Sequence, residues 1–372
     1  MTLRTINIQN FRNINGSYPL SSRINVIVAL NGAGKTNFLE AVGFVSRGRS
    51  FKTNNEILTV RKDIDRKSPL MFARIEAEID DALGNIQKKE LVLESTTEGS
   101  LRKTLLVDSL KTTINKFDDT FHSVIFSPNT VDLVIGSPSI RRKDLDDFLS
   151  VVDEEYYFAI SEYRKVIRQR NKVLEKLLQN RGNTRELGFW NQKMVDLGSA
   201  IIFKRAIFFR SIASEILSLS AKLFNLHGAE MSIIYESKFL TEIDEKVIMS
   251  AFQKKIKENE QKEIWAGKSL YGPQREDFSF LLNNVDLKEM GSRGQQRLCA
   301  FIYKVAQKLQ LKNKNGVEPI FLLDDLFSEL DSPVRGKIID FILGSTNQII
   351  LTALSEDEVN GNFLKECKFI KL

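Results

Sequence analysis

A mostly apolar run, Ile24-Asn25-Val26-Ile27-Val28, leads directly into Ala29-Leu30-Asn31-Gly32-Ala33-Gly34-Lys35-Thr36, and a helical pattern follows from Lys35 through Val45. A buried strand, a glycine-rich turn and a helix in that order make a βα unit, so this part of the chain is committed to an α/β fold. The turn also carries chemistry. Successive backbone N–H groups at such a junction converge on one spot, the helix dipole adds positive potential there, and a Lys followed by a hydroxyl residue completes a site for nucleotide phosphates and Mg2+. Asn31, Gly32, Ala33, Gly34, Lys35, Thr36 and Asn37 are the candidate nucleotide ligands, with Thr36 on the metal. Ala29 stands where the usual pattern has its first glycine, and it is small enough for the loop to close.

A second feature answers the first. Glu318-Pro319 introduces Ile320-Phe321-Leu322-Leu323, which ends in Asp324-Asp325. Two carboxylates after a buried strand are costly unless something positive meets them, whereas a helix cap explains one acid and leaves the other. Asp324 is the candidate Mg2+ carboxylate and Asp325 the candidate group that polarises an attacking water. Between the two motifs, Gly291-Ser292-Arg293-Gly294-Gln295-Gln296-Arg297 opens another helix. Serine and glycine there fit an anion site, and they equally fit simple capping.

The remaining chain changes period. Phe72 to Ile79 and Ile86 to Leu93 alternate as a meander with a turn at Asp80 to Gly84, whereas Leu145, Leu149, Val152, Tyr156, Ile160, Tyr163 and Ile167 recur at helical steps. Leu187, Trp190, Met194, Leu197 and Ile201 form a second stripe, and Gln179 to Thr184 reads as the turn between two long helices. One strand is expected near Met231 to Tyr235, and a last buried strand at Gln348 to Leu351. These patterns predict three segments: 1–125 with the phosphate loop, a mostly helical insertion over 126–265, and 266–372 completing the α/β part.

Composition narrows the function classes. No apolar run reaches membrane-spanning length and no signal region opens the chain, so a cytoplasmic protein without membrane contact is expected. Cys299 and Cys367, the only two cysteines, have no metal or redox spacing, and neither have His122 and His227. The net charge of +6 is modest but unevenly spread. Eight basic residues against one acid, Glu175, lie between Arg164 and Arg185. Arg164, Lys165, Arg168, Arg170 and Lys172 are therefore candidates for contact with nucleic-acid phosphate, and Arg49 and Lys52 are further candidates for phosphate or DNA.

The order of these motifs is similar to that of the ABC-type ATPase heads of the SMC and Rad50 class, and finer details resemble the RecF family. The details are Asn10-Phe11-Arg12-Asn13, Gly48-Arg49-Ser50-Phe51-Lys52-Thr53, Phe126-Ser127-Pro128, Gly136-Ser137-Pro138 with Arg141-Arg142, Gln169-Arg170-Asn171, Gly272-Pro273-Gln274-Arg275-Glu276-Asp277 and Ser292 to Arg297. The resemblance implies an ABC-type P-loop ATPase head with a mixed β-sheet core and a mostly helical inserted lobe. It also implies ATP and Mg2+ as cofactors, weak DNA-dependent ATP hydrolysis, and double-stranded or gapped DNA as partner. By the same resemblance, ATP drives formation of a homodimer in which Ser292, Gly294 and Gln295 of one protomer close on the nucleotide of the other. Lys35, Asp325 and Ser292 are the catalytic residues it implies, Asp331 falls at the dimer interface, and mediator proteins of the RecR and RecO type are further partners. The alternative reading is an ATP-gated structural head of the SMC kind with little or no hydrolysis.

Some positions depart from the family pattern. Gln274 and Glu276 stand where His and Asp are usual, Thr352 occupies the place of the ABC switch histidine, and Asp325 replaces the longer catalytic glutamate. No Q-loop glutamine is identified.

Overall fold

The structure, a computed structural model, describes all residues except 31, 54, 62–70, 81–83, 96–99, 119–120, 225–228, 317 and 354–364, and not the side chains of 115 and 315. The chain divides into two compact units, Met1–Thr130 with Tyr303–Leu372, and Val131–Ile302.

The first unit begins with strands β1 (Thr2–Phe11), β2 (Ile14–Pro19) and β3 (Ile24–Val28), followed by helix α1 (Lys35–Arg47). Next come β4 (Phe72–Asp80), β5 (Ile86–Ser95), β6 (Leu101–Val107), β7 (Leu110–Lys111), the short α2 (Ile114–Asp118) and β8 (Ser123–Phe126). The second unit holds α3 (Asp132–Ile135), α4 (Pro138–Val152), α5 (Glu154–Leu178), α6 (Thr184–Leu223), β9 (Met231–Glu236), α7 (Glu245–Ala266), β10 (Asp277–Leu282), β11 (Val285–Asp286) and α8 (Leu287–Met290). Helix α9 (Arg293–Asn315) leads back to the first unit, which ends with β12 (Ile320–Leu323), α10 (Ser332–Leu343), β13 (Ile349–Ala353) and β14 (Cys367–Lys371).

Two sheets build the first unit. One is an antiparallel meander in the order β2-β1-β4-β5-β6-β7, and the other has the order β14-β3-β13-β12-β8 with every pairing parallel. Alternation in β4, where Ala73, Ile75, Ala77 and Ile79 are buried, is what one covered sheet face requires. The strands β3, β8, β12 and β13, buried along almost their whole length, read instead as unbroken apolar runs. Helix α1 packs against strands of both sheets, and Phe38, Leu39, Val42, Phe44 and Val45 on it join one apolar core with Leu3, Ile6, Ile75, Leu91 and Leu322.

Register places the site. Leu323 is level with Leu351, and Val28 with Ala353, so the residues after β3, β12 and β13 meet at one carboxyl-terminal edge of the parallel sheet. Ligands of open α/β sheets bind at such an edge.

Several expectations are refined. The helical stripe from Leu145 to Ile167 belongs to two helices, because Asp153 takes an extended conformation and its carboxylate accepts the Tyr156 N–H to start α5. The strand at Ile349 is followed by one more, β14, which pairs with β3. The second unit runs from Val131 to Ile302 rather than over 126–265, since β10 pairs along its whole length with β9 and draws the segment after 265 into that unit.

Candidate functional site: a nucleotide pocket at the sheet edge

The strand β3 delivers the chain to the loop, and the loop turns through glycine. Gly32 has φ +82° and Gly34 φ +114°, backbone that residues with a Cβ rarely adopt. Gly34 also has no room for one: a Cβ there would lie 2.5 Å from Ile14 Cδ1. Phe38 N–H closes the first helical bond on Gly34 O at 2.8 Å, and α1 carries no acid in its first turn, so its positive end stays uncompensated by its own side chains. Lys35 folds back to donate to Ala29 O at 2.6 Å.

The opposite wall is acidic. Asp324, 3% exposed, has its carboxyl pushed up from the usual range by burial, against which hydrogen bonds from Thr36 and Thr352 pull it down. Thr352 Oγ1 donates to Asp324 Oδ1 at 3.0 Å and accepts the Asp325 N–H at 2.8 Å. Asp325 itself is exposed, sits at φ +50°, and accepts a 2.9 Å bond from Ser328 Oγ on Oδ2. A cavity of about 460 Å³ lies between these groups, lined by Gly32, Gly34, Lys35, Thr36, Asn37 and Lys52 on one side and Asp324, Asp325 and Thr352 on the other. Its volume is in the range of small-ligand pockets.

The predicted residues therefore separate into groups. Gly32, Gly34, Lys35, Thr36, Asn37, Asp324 and Asp325 come together around this cavity, with Ala33 in the same turn. Asn31 lies outside the described residues, as does His227. Lys52, read from the sequence as a phosphate or DNA candidate, lines the same cavity, and burial lowers its ammonium's pKa from the ordinary value. Its Nζ donates to Asn37 Oδ1 at 3.1 Å. Arg49 is half-buried just beyond α1.

In the second unit, Ser292 is exposed at the start of α9, where its Oγ accepts the Gln295 N–H at 3.3 Å and Gln295 Oε1 accepts the Ser292 N–H at 2.9 Å. That reciprocal pair is a capping box, with Gly294 in the first turn. Asp331 caps α10 by accepting Val334 N–H at 3.0 Å.

The basic strip needs one correction. Arg170 is fully buried and does not belong to a phosphate-binding surface: it donates to Glu263 at 2.5 Å, Ser269 at 2.8 Å and Asn191 at 2.8 Å. A helix that turns 3.6 residues per cycle cannot keep 168, 170 and 172 on one face, and α5 buries 170 between Val166 and Val173. Arg164, Lys165, Arg168 and Lys172 are exposed on α5, Arg164 and Lys165 with ion-pair partners in Asp146 and Glu162. The residues whose role the sequence left open bond to other side chains of this unit. Asp277 accepts two bonds from Arg141 at 2.7 and 2.6 Å, Gln274 accepts from Tyr163, and Glu276 accepts from Tyr235 and Ser237 beside the buried Arg205. Gly272, Pro273 and Glu276 are buried, Gln274 and Asp277 half-buried and Arg275 exposed, so the segment is a polar knot that ties together elements of the second unit.

Comparison with known proteins gives this geometry a family. Residues 2–367 match the RecF/RecN/SMC N-terminal domain. A DNA replication and repair protein RecF from Halothermothrix orenii is 32% identical over 99% of this chain and 97% of its own length. The chain belongs to the RecF family. The corresponding protein of Ligilactobacillus salivarius is 31% identical over 100% of this chain and 96% of its own. A solved structure of the recombination mediator protein RecF-ATPrS in the RecFOR pathway superposes with a TM-score of 0.84 at 27% identity, covering 99% of this chain and 95% of that one, and a RecF-ATP structure of the same pathway also gives 0.84 at 27% identity, covering 97% and 94%. An Smc head bound to the C-terminal winged-helix domain of ScpA, at 15% identity and a TM-score of 0.54 over 96% of this chain and 90% of that one, shares the fold. The fold is the α/β ABC-type ATPase head expected. Among the described residues no helix is long and apolar enough to cross a membrane.

Proposed function

We propose that the chain is a DNA-binding ATPase of recombinational repair and replication, in which ATP closes two copies into a dimer on double-stranded or gapped DNA and slow hydrolysis releases them. One observation carries the reading: a loop turned through glycine, a lysine and a hydroxyl face two acids across one cavity at the edge of a parallel sheet. The ATP-containing RecF structures it resembles support ATP as the ligand.

Mg2+ fits the oxygen set of Thr36 and Asp324, hard donors of which one is a carboxylate buried against its solvation preference. When bound it would neutralise charge on the transferred phosphoryl group. The protein's own residues do the rest. Lys35 and Lys52 supply positive charge to the phosphates, and Thr352 holds Asp324 and the backbone of Asp325 in fixed relation. Asp325, exposed to the cavity, orients the attacking water, and its short reach accords with slow turnover. Ser292, Gly294 and Gln295 act from the partner copy, an assignment supported by Ser292 being exposed at a helix N-terminus. The DNA surface is the exposed side of α5 with Arg164, Lys165, Arg168 and Lys172. Mediator proteins of the RecR and RecO type dock on the assembled dimer, as the RecFOR context of the solved relatives suggests.

The test is ATP turnover with and without duplex DNA for the wild type, Lys35→Ala and Asp325→Asn, with light scattering for dimers. Hydrolysis above the Lys35→Ala level, and ATP-trapped dimers in Asp325→Asn, are expected. A wild-type rate equal to that of Lys35→Ala would leave an ATP-gated structural head instead.

A further inference from the structure

The turn between β1 and β2 touches the phosphate loop from outside. Asn13 Nδ2 donates to Ala33 O at 3.0 Å and reaches Gly32 O at 3.5 Å, while its Oδ1 accepts from Asn37 Nδ2 at 2.8 Å. The turn is itself fastened. Arg12 forks onto Glu40, a fully buried carboxylate of α1, with Nη2 to Oε1 at 2.9 Å, and Arg12 N–H donates to Thr59 O at 2.6 Å. Ser50 Oγ donates to the same Glu40 oxygen at 2.6 Å. Asn13 is thus carried on a platform bonded to the helix that the loop begins.

In a trans peptide the C=O and N–H point in opposite directions. A donor that holds Ala33 C=O therefore fixes the Gly34 N–H on the far side, and the far side is the cavity, which Gly32, Gly34 and Lys35 line and Asn13 does not. Gly34 at φ +114° has little intrinsic preference to keep that peptide in place. We infer that Asn13 is a positioning residue of the nucleotide site, whose side-chain amide keeps the Ala33–Gly34 peptide turned so that its N–H faces the phosphates.

The inference rests on the nucleotide reading above, and the experiment separates the two. Dissociation constants for Mg-ATP and Mg-ADP are measured by calorimetry on the full chain for wild type, Lys35→Ala, Asn13→Leu and Asn13→Ala, with the melting temperature of each nucleotide-free protein. Leu keeps about the size of Asn and removes the donor. Both Asn13 variants should bind ATP and ADP about tenfold more weakly, and by the same factor, because the held amide serves phosphates common to both. Their nucleotide-free melting temperatures should match the wild type. Wild-type affinity in both Asn13 variants, with binding lost in Lys35→Ala, overturns the role of Asn13 and leaves the nucleotide site standing. Weaker binding that tracks a lower nucleotide-free melting temperature in both variants also overturns it, as a purely structural effect. Absence of ATP and ADP binding by the wild type overturns both readings.

Discussion

The Thr352 hydroxyl donates to the buried carboxylate of Asp324 at 3.0 Å, across a separation of 28 residues in sequence. With the contact from Thr36 this bond pulls the carboxyl's pKa down, while burial, the larger effect, pushes it up. The site therefore holds a poorly solvated acid whose charge is useful only when a cation meets it.

Replacing that acid should help the fold and harm the site. An acid whose pKa is raised by folding favours the folded state most when protonated, so its contribution is lost as pH rises through the folded value. Asp324→Asn should accordingly be at least as stable as wild type at pH 7, with the difference shrinking as the medium is acidified toward the ordinary carboxylate range. Urea denaturation at several pH values without nucleotide measures this. In the same variant the Mg2+ dependence of ATP binding should disappear.

Arg170 and its neighbours on α5 should respond oppositely to mutation. Arg170→Ala strands Glu263, which is fully buried and whose other oxygen accepts the Leu270 N–H at 2.7 Å. A loss of about 3–5 kcal/mol in unfolding free energy is expected. The double reversal Arg168→Glu with Lys172→Glu should leave the melting temperature unchanged and flatten the salt dependence of DNA binding, read from anisotropy titrations at increasing salt.

His122 makes the fold acid-sensitive. Burial, with Lys89 and Arg47 adding repulsion, lowers its imidazole from 6.5 to about 4. A group whose folded pKa is depressed contributes stability above its unfolded value and loses it as pH falls through the folded one. Between pH 6.5 and 4 this group should remove about 3 kcal/mol of stability, and His122→Gln should remove that part of the slope. Chemical denaturation across that window is the measurement.

What the sequence could reveal depended on how local each signal was. The loop from Ala29 to Thr36 and the acids after Leu323 are runs of adjacent residues flanked by strand patterns, so both could be read directly. The fate of Arg170 could not, because its partner Glu263 lies 93 residues away and nothing in the charge run distinguishes an inward arginine from an outward one; the helical period, with Val166 and Val173 flanking it, was the available signal. Lys52 was similarly visible as a basic residue but not as a wall of the nucleotide cavity, a position set by a turn after α1. Asp153 hid a helix break because the apolar stripe continues in phase across it. Asn13 stands in a short sequence motif, but its contact with Ala33 needs three-dimensional placement.

Strand β3 lies between β13 and β14, partners that come more than 300 residues later in the chain. During synthesis both of its edges stay open until more than 300 further residues have been added, while the continuous stretch 131–302 can already close its own contacts. A nascent polypeptide thus carries an unpaired apolar strand until β13 and β14 emerge, a species prone to sticking to its neighbours. Acquisition of the nucleotide pocket is correspondingly a late event, so a chain halted before β13 emerges holds the phosphate loop without the acids' strand partner that completes the site.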